Sequence, residues 1–159
     1  MTTPLGHPHL ILLEDWRRYR LAAPWAYRWR DDRDNRLREI TIPAGFTTDL
    51  ASVPRLLHTI ISPYDLRHAS LPHDLIYSYA GRVPARYFTI DGEGCDTPWT
   101  RRDADRLFAR LMREAGVAMW RRRAAYRAVR VAGWRRWRIA SRAAETDALG
   151  ELTGEELED

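Results

Sequence analysis

The stretch that most restricts how this chain can fold is Ser70-Leu71-Pro72-His73-Asp74-Leu75-Ile76-Tyr77-Ser78-Tyr79-Ala80-Gly81. Its ends read as those of a short helix over 70–81. Ser70 can cap the N-terminus, and Pro72 fits the first turn, where its missing N–H costs nothing. Gly81 can take the left-handed conformation that stops a helix. His73 and Tyr77 are spaced i, i+4, which stacks them on one face about 6 Å apart along the axis. Asp74 lies roughly 100° round, three residues before Tyr77. An imidazole, a carboxylate and a phenol therefore share little more than one turn of an otherwise apolar helix. Such a helix makes a poor core and a good site.

A second helix offers the partner. Thr100-Arg101-Arg102-Asp103 has capping-box spacing, with aspartate in place of glutamate. The helix beyond this cap runs to about Ala115 and stops at Gly116, with an apolar stripe of Ala104, Leu107, Phe108, Leu111 and Ala115. Asp103 points away from that stripe and caps, whereas Asp105 shares an edge with Phe108 and Met112 and looks inward. If the two helices are antiparallel neighbours, Asp105 can reach His73. A carboxylate on one ring nitrogen fixes the tautomer and raises the basicity of the other, which can then deprotonate water. Asp74 points to a different side and could ligate a divalent cation that polarises a carbonyl. Tyr77 can hydrogen-bond Asp105 and hold it. Base, orienter and electrophile site together are what a hydrolase acting on an ester requires. The same His-Asp pair also suits a satisfied polar network that merely joins two helices. Both readings stand at this point.

The rest of the chain frames this pair. Its 159 residues, 45% hydrophobic and 30% charged, suit one domain with a real core. The expected fold is α+β: a small N-terminal antiparallel sheet followed by about three helices, with an acidic disordered C-terminal tail. Residues 1–9 read as a flexible arm, 10–142 as the single domain and 143–159 as the tail. His7 and His9 belong to the arm, which is favoured over a metal pair. Trp25-Ala26-Tyr27-Arg28-Trp29-Arg30 alternates with period 2, a turn comes next at 31–35, and Arg38 to Pro43 alternates again. A half-buried sheet with arginines over its open face is favoured there over nucleic-acid stacking. Asp49 or Ser52 can cap a helical turn after Pro54, and 82–99 is a long loop with a short strand near Tyr87 to Ile90.

All 26 basic residues are arginine and the net charge is +4. From Met119 to Arg142 there are nine arginines and no acid, and after Arg142 seven acids and no arginine. The helix from Met119 to Trp137 is read as packing one face on the domain while arginine covers the other, in preference to a membrane or nucleic-acid surface. Cys95, the single cysteine, excludes an internal disulfide. No apolar run reaches the length of a membrane span and the first residues lack a signal-peptide pattern, which predicts a soluble protein made in the cytoplasm.

Two resemblances rest on these motifs. Gly45-Phe46-Thr47-Thr48-Asp49-Leu50-Ala51-Ser52-Val53-Pro54-Arg55, then His73-Asp74-x-x-Tyr77, then Thr100-Arg101-x-x-Ala104-Asp105, resembles the bacteriophage and prophage family known as domain of unknown function 1353. The likeness covers roughly residues 40–137, takes in Arg55 and Arg101, and implies a phage context but no activity. In part, His-Asp-x-x-Tyr followed by Ala104-Asp105-x-x-Phe108 is also similar to the helical core of phospholipase A-two. That likeness implies His73 as base, Asp74 as calcium ligand, and Tyr77 with Asp105 as support. The glycine-rich calcium loop and the stapling cysteines of that family are missing. Asp49, as an extra carboxylate, suggests instead an ion held by Asp49, His73, Asp74 and Asp105.

The functional expectation is a phage or prophage protein that acts as a metal-assisted hydrolase on a lipid ester or cell-envelope bond. The alternatives are a non-enzymatic virion or tail-associated protein bound to other phage proteins and, more weakly, a nucleic-acid-binding protein. The phage reading places the chain in the bacterial cytoplasm during phage production, with packaging in the virion as a further expectation.

Overall fold

The computed structural model describes residues 6–14, 18–48 and 63–155. These form two small antiparallel sheets and three helices, the expected α+β arrangement, with five of the seven strands before the first described helix. Strands β1 (Leu10–Leu12), β2 (Tyr19–Leu21) and β5 (Thr47–Thr48) make one sheet in the order β1-β2-β5. The other runs β3-β4-β6-β7, from β3 (Trp25–Arg30), β4 (Leu37–Ile42), β6 (Phe88–Ile90) and β7 (Glu93–Gly94). The sequence predicts one sheet of two or three strands; the structure splits the region into two. The long 82–99 loop contributes β6 and β7, joined at Asp91 and Gly92, whose φ values of 53° and 88° fit a type I′ turn.

Period-2 alternation decides which face is buried. In β3, Trp25, Tyr27 and Trp29 are buried while Ala26, Arg28 and Arg30 are exposed. Tyr27 pairs with Ile40, and Ile40 with Phe88, so one apolar row crosses the sheet. The aromatic rings stack along it, with Tyr27 and Trp29 5.2 Å apart. The arm is tied down where it is described: the Trp25 indole donates to the Gly6 carbonyl at 2.7 Å, and Pro8 is buried.

Helix α1 (Pro63–Ser78) begins before the expected start. Proline suits the first helical position, and Pro63 takes it. Ser70 is therefore not a cap; it lies inside the helix, buried, with its hydroxyl unpartnered, and Pro72 is also interior. The end is as predicted: Gly81 has φ 85° and its N–H donates to the Ile76 carbonyl at 2.9 Å. A Cβ there would sit 2.2 Å from the Trp99 carbonyl oxygen.

Helix α2 (Arg101–Glu114) starts on the predicted cap, Thr100, whose hydroxyl accepts from the Asp103 N–H at 3.1 Å. It buries Ala104, Asp105, Leu107, Phe108, Leu111 and Met112. Helix α3 (Met119–Glu155) continues past 143, through residues expected to be a disordered tail. Alanine, leucine and glutamate dominate that stretch and no proline interrupts it. Helix α1 packs on α2 and β4, and α3 packs on both other helices.

Candidate functional site

Three helices converge on one carboxylate. Asp105, 0% exposed, accepts three hydrogen bonds. Its Oδ1 lies 3.0 Å from His73 Nε2 and 2.7 Å from the Tyr77 hydroxyl, and its Oδ2 takes the Arg130 guanidinium at 2.9 Å. The carboxylate can only accept, so Nε2 carries the proton and Nδ1 keeps its lone pair. Nδ1 faces Asp74 Oδ1 at 3.6 Å, beyond hydrogen-bond distance. The imidazole is 7% exposed and lies between the rings of Tyr77 and Phe108, at 4.1 and 5.2 Å.

The sequence brings His73, Asp74, Tyr77 and Asp105 together as the structure does. It missed Arg130, Thr48 and Arg136. The Thr48 hydroxyl hydrogen-bonds Asp74 Oδ2, and Arg136 reaches Asp74 Oδ1 at 3.6 Å. Arg130 carries no distinguishing signal among the arginines of α3. Its neighbour Gly133 does, since a glycine inside a helix costs about 1 kcal/mol against alanine. A Cβ at Gly133 would stand 2.7 Å from the Tyr77 oxygen, so the missing side chain is the space Tyr77 occupies. Arg101 does not touch the dyad; it donates to the Arg130 carbonyl at 2.9 Å and so helps fix α3 on α2. Asp49 and Arg55 lie outside the described residues.

Burial and pairing act in opposite directions here. Burial alone would depress the His73 pKa, but the hydrogen bond to Asp105 and the nearby negative charge of Asp74 outweigh it and the value is raised above 6.5. Burial would raise Asp105, yet donation by His73, Tyr77 and Arg130 brings it below 3.8. Tyr77 is pushed well above its usual range, first by burial and then by its bond to Asp105. At neutral pH the network holds an ionised Asp105.

Among the described residues no group of three or more His, Cys, Asp or Glu is arranged to hold a metal ion. Asp105 has both oxygens occupied by donors, which leaves Asp74 as the carboxylate nearest Nδ1. Two cavities of about 770 Å³ flank α2, and neither is lined by His73 or Asp105. No described helix is long and apolar enough to cross a membrane.

Fold and site define a small α+β protein built on a buried histidine–aspartate–arginine network. The chain belongs to the family described as Protein of unknown function (DUF1353), whose model matches residues 19–129. No curated protein and no solved structure matches it.

Proposed function

We propose that His73 is the general base of a phage- or prophage-encoded hydrolase acting on an ester or cell-envelope bond. One observation carries this reading: Asp105 holds Nε2 at 3.0 Å while the Nδ1 lone pair has no hydrogen bond. Nδ1 would take a proton from water, the resulting hydroxide would add to the carbonyl, and the imidazolium would return the proton to the leaving oxygen. Asp105 and Tyr77 keep the ring oriented throughout. Asp74 is the residue that would hold a divalent cation, with Asp49 as second carboxylate; such an ion would polarise the carbonyl.

A second reading, a non-enzymatic virion or tail-associated protein, draws support from Arg130. It completes the pairing of Asp105 and makes the cluster self-sufficient as a structural joint. The test is hydrolysis of a soluble short-chain nitrophenyl ester by the full chain and by His73→Asn. The hydrolase reading expects turnover to fall about 10²–10⁴-fold with the urea midpoint nearly unchanged. Its base must be neutral and its pKa is raised, so activity should climb with pH through a midpoint above 6.5. Unfolding of His73→Asn, or no turnover in the parent, gives the structural reading the case.

A further inference from the structure

We infer that the arginine-lined cleft between α2 and α3, together with the outer stripe of α3, docks on an anionic phospholipid bilayer. Neither His73 nor Asp105 lines this surface, and the inference does not depend on the chemistry at His73.

The cleft encloses about 770 Å³. Arg102, Arg106, Arg110 and Arg113 line it from α2, at spacings that keep them on one side of that helix. Arg122, Arg123 and Arg127 face them from α3, and Asp32 is the one carboxylate in the lining. Arg106 pairs loosely with Asp103 at 3.5 Å, and Arg110 with Glu114 at 3.1 Å and Asp32 at 3.8 Å. The remaining five have no ion pair among the described residues. Crowding like charges without counter-charges raises the local potential and favours an anion-dense partner. Guanidinium groups match phosphate geometry with paired N–H donors.

The apolar side chains beside the cleft select among anionic partners. On α3, Trp120, Arg123, Arg127, Val131, Trp134 and Arg138 recur at three- and four-residue spacing, forming one outward line. Arg123 and Arg127 belong to both cleft and line. Val131 is 73% exposed and Ile139, flanking it, 69%. Trp120 and Trp134 are exposed too, with Arg121 5.2 Å over the first ring and Arg138 5.4 Å over the second. Branched aliphatic side chains gain nothing against a sugar–phosphate backbone. At a bilayer they enter the acyl boundary, tryptophan sits at headgroup level and arginine meets phosphate. The acid-free segment from Met119 to Arg142 is about 36 Å of helix at 1.5 Å per residue, long enough to lie flat across many headgroups.

The test is flotation of the full chain with phosphatidylcholine vesicles containing phosphatidylglycerol, and with phosphatidylcholine alone. Binding should appear only with the anionic lipid, weaken as salt is raised, and be equal in His73→Asn. At about fivefold per arginine, combined Arg102→Gln, Arg113→Gln and Arg127→Gln should weaken it about a hundredfold. Combined Val131→Ser and Ile139→Ser should weaken it at low salt as well. Equal binding to both vesicle types would overturn the inference. So would tighter binding of a single-stranded oligonucleotide that is indifferent to Val131→Ser and Ile139→Ser.

Discussion

Arg127 and Arg130 stand one turn apart on α3 and meet different surroundings. Arg130 turns inward, bonds Asp105 at 2.9 Å and completes a network joining three helices. Arg127 turns into the cleft beside Arg122 and Arg123 and meets no carboxylate among the described residues. The residue type is the same, so the difference lies in burial and in the partner. A buried charge must be matched where it sits, because an unmatched one is expensive. An exposed one can stay unmatched in water and remain available to a partner.

The contrast between the two arginines breaks most visibly at Asp105. Asp105→Ala leaves His73, Tyr77 and Arg130 without their shared acceptor and should cost about 3–5 kcal/mol in urea denaturation. A loss below about 1 kcal/mol would mean that the network is not what joins the helices. Next comes Gly133→Ala. Helix propensity alone would favour alanine by about 1 kcal/mol. The new methyl, however, meets the Tyr77 oxygen at 2.7 Å, and overpacking should win with a net loss of about 1–3 kcal/mol. A stabilised Gly133→Ala would show that Tyr77 is free to move away. The smallest effect belongs to Arg127→Gln, which should stay within about 0.5 kcal/mol of the parent. If Arg127→Gln were as damaging as Asp105→Ala, the cleft would be part of the scaffold rather than a surface held open for a partner.

The central pair was legible because helical geometry is local. Spacing alone put His73, Asp74 and Tyr77 on one turn and Asp105 on the inward edge of α2, and the Thr100 cap comes from the same reasoning. The start of α1 was not legible: Ser70 and Pro72 look like a helix start, yet the helix already runs from Pro63. Tertiary burial overrode the local signal. The split into two sheets was equally hidden, since β5 pairs with β2 across residues distant in sequence.

By itself, then, the sequence determined the pieces: which stretches alternate, which faces are apolar, and which titratable groups share a helical turn. Each of those rests on the 2.0 and 3.6 residue periods of strand and helix. Only the tertiary structure decided which arginine answers Asp105, that Thr48 and Arg136 surround Asp74, and that seven other arginines of α2 and α3 gather into one cleft. Those outcomes depend on how helices sit against one another, and nine arginines in a row of turns carry no mark of which will face in. Gly133 is the exception, a gap in the sequence whose reason is a phenol on another helix.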